Sequence, residues 1–336
     1  MTATRLLSVT AVLALATAPV LALAPWRGEP RYTIERLGSV SVLSLNDSGW
    51  ILGTEGERGS KRAFVLVEGR RRWLDELGVD ASVLKISEDG TVAGAAADSS
   101  RRRYACLWRD GRVTRLGSPA GVLSAGAGDV NARGEAVGGA NVYQRYPIAL
   151  LWRGGAAHVL PPLAPDSFAD AQAINDAGWI AGQAKTATGE SHAVLWRDGR
   201  PLDLGTLGGP RSYSTDINER GQVVGMANAA DHHPHAFLWE DGRMTDLNPP
   251  GTRSSAAEAM NDSGQVVGWV SNGEGTSRSV LWDRGRLMYL DQLVDLEAAG
   301  WLRLLGVMDI NNRGWIIGAG RRRDGTLEAW VMKPVR

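Results

Sequence analysis

A chain of 336 residues is long enough for one large domain or two ordinary ones, and an apolar share of 43% can fill a packed core. Its 37 basic residues are matched by 37 acidic ones, so net electrostatics do not mark it as a nucleic-acid or membrane-surface binder. Glycine is abundant (42), phenylalanine scarce (3) and tryptophan frequent (13), a mixture that suits many tight turns between short strands.

The N-terminus reads as a targeting segment. Arg5 precedes an apolar run from Leu6 to Ala16, followed by small-x-small sites at Ala16-Thr17-Ala18 and Ala22-Leu23-Ala24. This is the layout of a secretory signal over residues 1–24, cleaved after Ala18 or Ala24, with an uncleaved anchor as the alternative. The run is short for a membrane span. The expectation is an exported protein, periplasmic or extracellular, with one mature domain over 25–336. Cys106 is the single cysteine, so no disulfide framework is available, and it reads as a small apolar strand residue.

From there one pattern organises the chain: an apolar residue, Asn, two polar residues, Gly, a short β-rich run, and a second Gly. Met260-Asn261-Asp262-Ser263-Gly264 leading to Gly268 is a clear copy, and others start at Leu45, Ile86, Val130, Ile174, Ile217 and Ile310. The first glycines (Gly49, Gly90, Gly134, Gly178, Gly221, Gly264 and Gly314) are 41, 44, 44, 43, 43 and 50 residues apart. A fixed period in this range signals a solenoid or a propeller.

Each repeat resolves into four strands. Strand a runs into the Asn, and the Asn-x-x-Gly turn follows, with polar side chains bonding nearby backbone and Gly supplying positive φ. Strand b is brief and β-branched, as in Gln222-Val223-Val224-Gly225. Strand c follows a polar loop, as in Ala193-Val194-Leu195-Trp196. A two-residue turn such as Asp110-Gly111 or Asp241-Gly242 then predicts a type I′ hairpin into strand d. The repeats fall near 39–78, 79–118, 119–161, 162–205, 206–248, 249–291 and 292–336. The last stops at its strand c, whereas Tyr32–Gly38 before the first matches a strand d. Pairing the two closes a ring and removes two sheet edges. The prediction is an all-β, seven-bladed β-propeller of four-stranded blades, closed by residues 32–38. The 50-residue step contains Asp291 to Trp301, whose Leu293, Leu296 and alanines suggest a short helix ending at Gly300 or a packing cap.

His235-Ala236-Phe237-Leu238-Trp239-Glu240-Asp241-Gly242, then Asp246-Leu247 and the Met-Asn-Asp-x-Gly-Gln-Val-Val-Gly run, resemble the HAF-repeat family of bacterial extracellular proteins over roughly residues 32–335. That resemblance implies export and a repetitive β fold, and it brings no catalytic residues. Val67 stands where most copies have Trp, and Ser87 where they have Asn.

Residues suggestive of chemistry are few. His233 and His235, with His192 at the matching position of the preceding repeat, are candidate zinc or copper ligands. His192 and His235 are also repeat positions, and no matched cysteine or carboxylate completes a site, so no metal and no cofactor is assigned. Asp129, Asp216 and Asp309 precede the repeat pattern on strand a, where they either approach the channel or bond turn backbone. Arg58, Lys61 and Arg62, then Arg101, Arg102 and Arg103, then Arg321, Arg322 and Arg323 occupy b–c loops of blades 1, 2 and 7, which are neighbours in a closed ring. They form a candidate cationic face, or three solvated loops balanced by Glu55, Glu57, Asp98 and Asp324. The functional expectation is a monomeric, non-catalytic exported scaffold for an unknown protein or an anionic polysaccharide, with no nucleic-acid partner. The alternatives are a polysaccharide-acting hydrolase or lyase at the channel mouth and a purely structural envelope component.

Overall fold

The computed structural model describes residues 31–57, 60–77, 81–273 and 275–335. The signal segment and Arg58 lie outside the described residues. The described chain forms seven four-stranded antiparallel sheets arranged as a seven-bladed β-propeller. The first blade is Ser41–Leu45, Ile51–Glu55, Arg62–Val67 and Arg70–Trp73, and each later blade repeats this order. Each strand a touches strand a of both neighbouring blades, so the seven strands a surround the central channel.

The last blade is completed from the other end of the chain. Its strands Trp301–Ile310, Ile316–Arg322 and Leu327–Pro334 lack a fourth member, and Tyr32–Gly38 supplies it. Tyr32 pairs with Pro334 and Arg36 with Trp330. Arg36 also clamps Glu328 through two hydrogen bonds of 2.8 and 2.6 Å.

Both glycines of the repeat have steric reasons. Gly221 adopts φ +75°, and a Cβ there would lie 2.2 Å from the Trp179 ring of the preceding blade. Gly268 pairs with Ala257 beside a β-bulge in strand a, and a Cβ would lie 2.0 Å from the Ala256 carbonyl oxygen. Only glycine fits either place. The predicted c–d turns are present, with Asp110, Gly111, Asp241 and Gly242 all at positive φ.

Cores form mainly at the faces between blades. One cluster joins Val137, Ala149 and Leu151 of blade 3 to Ala169, Ile174 and Trp196 of blade 4. Cys106 is buried in such a cluster, and burial pushes its thiol up to about 11, so it behaves as a small apolar residue. The step between blades 6 and 7 departs from the expected helix: it holds a 3₁₀ turn at Leu290–Gln292 and further turns to Gly300. Its leucines are drawn into the core instead, with Leu290, Leu293 and Leu296 buried against Trp301 and Trp330. The segment is a strap. The Leu293 carbonyl accepts from the backbone N–H of Arg31 and Tyr32, while Arg322 and Arg323 hold its far end at Ala299, Gly300 and Glu297.

Candidate functional site

The channel wall is built from two positions of the repeat. Two residues before the Asn, the seven blades present Ser44, Lys85, Asp129, Ala173, Asp216, Ala259 and Asp309. Each aspartate splits its oxygens between two blades. Asp216 accepts the Ile217 N–H of its own blade and the Met260 N–H of the next, both at 2.9 Å. Asp129 does the same with Val130 and Ile174, and Asp309 with Ile310 and Leu45. These residues bond turn backbone, and they face the centre of the ring, where Ser44, Ala173, Asp216, Ala259 and Asp309 are buried.

Lys85, from blade 2, reaches across to blade 7, where its Nζ lies 3.3 and 3.4 Å from the oxygens of Asp309. Burial pulls the Lys85 ammonium down, but Asp309, Asp216 and Asp129 outweigh it and hold the pKa above the ordinary lysine value. Burial lifts Asp216 to about 6 despite Lys85, with the fields of Asp309 and Asp129 adding to the rise. Asp129 is also raised, by burial first. One cation thus stands among three carboxylates. The sequence pattern flagged the aspartates but not Lys85, whose only signal is that it occupies the same repeat position.

One residue after the Asn, at the end of the ring where the a–b turns lie, a second layer contains Asp47, Glu88, Ala132, Asp176, Glu219, Asp262 and Asn312. Here the side chain of one blade accepts the backbone N–H of the preceding blade: Asp47 to Glu88, Asp176 to Glu219, Glu219 to Asp262. Asn312 accepts from the Asp262 N–H, and its own N–H donates to Asp47, which carries the circuit across the closing seam. Five carboxylates consequently encircle this mouth. Burial holds Glu88 and Glu219 above the usual glutamate range, with Asp47, Asp176 and Asp262 adding their negative fields. Between the two layers the repeat asparagines make a third ring. The amide nitrogens of Asn46, Asn131, Asn175, Asn218, Asn261 and Asn311 each donate to a main-chain carbonyl of the next blade, at 2.8 to 3.2 Å.

The candidate metal ligands are not brought together. His192 faces Asp203 at 2.9 Å and His235 faces Asp246 at 2.8 Å, each within its own blade. The His233 ring accepts from Arg253. No group of three or more potential ligands occurs among the described residues. The histidine position is instead one half of a pair with an acidic residue on or just after strand d, filled in blades 1 and 6 by Arg62 and Arg278, which bind Asp75 and Asp291.

The proposed cationic face lies on the opposite end from the acidic mouth, because b–c loops and a–b turns cap opposite ends of strand b. Several of its members are committed inside the molecule. Arg62 grips Asp75 and lies 4.3 Å over Trp73. Arg102 donates to the carbonyls of Val122 and Leu123 in blade 3. Arg321 bonds Gly325, Arg322 bonds Ala299 beside Glu328 and Trp301, and Arg323 pairs with Glu297. Among the described residues Lys61 and Arg103 make no side-chain hydrogen bond or ion pair, and Arg101 is exposed at φ +61°.

No protein-family model matches the chain, and no curated protein matches it in sequence. Solved structures do match in architecture. A puromycin-hydrolyzing peptidase of Mycobacterium tuberculosis is 14% identical, with a TM-score of 0.58 over 87% of this chain and 51% of that one. An acylaminoacyl peptidase of Pyrococcus horikoshii is also 14% identical, with a TM-score of 0.57 over 88% of this chain and 51% of that one. The propeller domain of the Trilobed protease of Pyrococcus furiosus, described as having an open velcro topology, is 11% identical with a TM-score of 0.57, covering 89% and 94% of the two chains. The chain spans about half the length of the two peptidases, and at these identities the likeness is one of fold. It corrects the expectation of a non-catalytic scaffold for an anionic glycan. Propellers of this architecture occur in peptide-hydrolysing enzymes, so the fold gives no ground for setting hydrolysis aside. No helix among the described residues is long and apolar enough to cross a membrane.

Proposed function

We propose that this protein is an exported propeller of the HAF-repeat type that selects extended, positively charged peptide segments at its acidic mouth, as the substrate-admitting part of a peptide-hydrolysing system. The observation that carries this reading is the charge of the channel. Asp47, Glu88, Asp176, Glu219 and Asp262 ring the mouth, with Arg133 acting on Glu219, and Asp129, Asp216 and Asp309 lie within, facing Lys85. In a chain of zero net charge, such a wall concentrates field on one path and favours a cationic, narrow ligand. An extended peptide bearing lysine or arginine fits that chemistry, and the architectural likeness to propellers of peptidases supports the peptide class.

The test is fluorescence anisotropy with a labelled alternating Lys-Ala peptide and its Glu-Ala counterpart, at two salt concentrations. The Lys-Ala peptide should bind, weaken with salt, and lose about tenfold or more in affinity when Glu88, Asp176 and Glu219 become Gln, Asn and Gln. Equal binding of the two peptides, or indifference to the mouth substitutions, rejects the reading.

A further inference from the structure

Seven seams join the blades, and one of them lacks the bonds that ring the channel. Six seams each carry at least two of three repeated links: the asparagine amide to the next blade's carbonyl, the mouth carboxylate or amide to the preceding blade's N–H, and the channel side chain to the next blade's N–H. The seam between blades 5 and 6 has all three, through Asn218, Asp262 and Asp216. Between blades 2 and 3 there is none among the described residues. Ser87 replaces the asparagine, so nothing reaches the Asn131 carbonyl from blade 2. Ala132 replaces the mouth acid, so the Glu88 N–H finds no side-chain acceptor. Lys85 replaces the channel acceptor and turns away to blade 7. Even the steric cover is missing: a Cβ on Gly134 would meet nothing within 4 Å, whereas those on Gly90, Gly178, Gly221 and Gly264 would strike side chains of the preceding blade.

The same two blades are tied elsewhere. At the end away from the mouth, Arg102 of blade 2 donates from two guanidinium nitrogens to the Val122 and Leu123 carbonyls, and on the outer side of the seam, beside the c–d turn of blade 3, the Trp152 indole N–H donates to Gly117 at 2.6 Å. What remains is apolar contact, in a cluster where Ala93, Ala105 and Leu116 of blade 2 meet Ala125, Ala127, Val130 and Trp152 of blade 3. Such contacts are non-directional and set no fixed bond across the seam.

We infer that the ring opens between blades 2 and 3, hinged on the Arg102 end, and that extended chain enters the channel sideways through this gap. The second half rests on the channel reading above; the first does not. A lateral gap matters because a ring threaded only from its mouth admits a free chain end, whereas a seam that parts at the acidic mouth also admits an internal loop of a longer chain. Lys85 suits the role: its bond to Asp309 bridges blade 2 to blade 7 and leaves the blade 3 side of the seam free.

Hydrogen–deuterium exchange read by mass spectrometry tests the opening. Segments 84–91 and 128–135 should exchange about tenfold or more faster than the equivalent segments 215–222 and 258–265. Ser87→Asn with Ala132→Asn, the residue that accepts at this position in blade 7, supplies two of the missing links without changing the charge of the mouth, and should bring the fast segments to the rate of the others. The converse pair, Asn218→Ser with Asp262→Ala, should make the blade 5–6 seam exchange like the blade 2–3 seam, so the opening stays testable even where the repaired chain folds poorly. Equal exchange at the two wild-type seams overturns the opening. For admission, a cyclic Lys-Ala peptide, which has no free end, should associate about tenfold more slowly with the repaired variant at unchanged affinity. An unchanged association rate overturns lateral admission while leaving the mouth reading intact. Absence of binding by linear and cyclic peptides alike in the wild type removes the channel reading and lateral admission with it, and the exchange data then decide the opening alone.

Discussion

Lys85 shows how one side chain decides the electrostatics of a ring. Removing it leaves Asp309, Asp216 and Asp129 facing one another in a partly dry channel, and breaking a buried pair from one side costs about 3–5 kcal/mol. Lysine retains 27% side-chain exposure, which lowers the expectation for Lys85→Met to about 2–3 kcal/mol at pH 8. The sign with pH follows from the carboxylates. Without the cation the folded pKa values of Asp129 and Asp216, already raised by burial, rise further above the unfolded ones, so stability falls as pH rises through that range and is recovered below it. Urea unfolding should therefore show a larger deficit at pH 8 than at pH 5, and an equal deficit at both would mean that Lys85 acts by packing. Asp170 offers a cleaner case, since its neighbours are the neutral Gln172 and Gln183 and burial lifts it to about 6. The unfolded carboxyl ionises near pH 4, so the folded state loses stability between about pH 4 and 6 and stays lower above. Two units correspond to about 3 kcal/mol at most, reduced because Asp170 keeps partial solvent access. Asp170→Asn should gain about 1–2 kcal/mol at pH 8 and nothing at pH 4. A gain independent of pH would exclude ionisation as its source.

At the scale of the element, the Asn-x-x-Gly turn is both a turn and a rivet. Asn218 shows the two roles: its Oδ1 accepts the N–H groups of Arg220 and Gln222 in its own turn, while its amide donates to Gln222 and to the Asn261 carbonyl of the next blade. The first role was legible in the sequence, because Asx turns follow from local spacing. The second was not, because its partner lies 43 residues away and is a main-chain carbonyl that carries no side-chain signature. The helix expected near residues 291–300 failed for a related reason: the spacing of Leu293 and Leu296 fits a helical face, but both are claimed by the core around Trp301 and Trp330. The histidines point the same way. His192 and His235 were readable as repeat positions, yet their pairing with Asp203 and Asp246 appears only once strands c and d lie side by side. Asn218→Ala removes four hydrogen bonds of a buried residue and should lower stability by about 2–4 kcal/mol. Asn46→Ala should cost a comparable amount, since Asn46 holds Trp50 in its own turn and the Ser87 carbonyl in the next blade. Thermal unfolding of the two single variants checks this, and a loss below about 0.5 kcal/mol in both would show that the amides are replaced by solvent at little cost.

The whole molecule depends on a clasp between residues far apart in the chain. The period, the seven copies and the missing last strand were legible because they are statements about order along the chain, and Tyr32 pairing with Pro334 is their consequence. The split of the surface into an acidic mouth and an opposite arginine-bearing rim was only half legible: the arginines cluster in sequence, whereas the acids are scattered singly, one per repeat, until closure gathers them. Closure should therefore be worth more than one strand's contacts. The clasp buries Tyr32, adds the two hydrogen bonds from Arg36 to Glu328, and leaves no unpaired edge on Leu327–Pro334. It also receives the strap, through the Leu293 carbonyl, so its loss frees the blade 6–7 connection as well. A chain beginning at residue 39, compared with one beginning at residue 31, should lose about 4 kcal/mol or more from apolar burial and the clamp together. For a domain of this size that corresponds to a Tm lower by roughly 8 °C or more. The truncated chain should also associate with increasing concentration, because the uncovered strand c is a template for pairing. If both chains melt together and both stay monomeric, the ring is held by the seams between blades and its core rather than by the clasp.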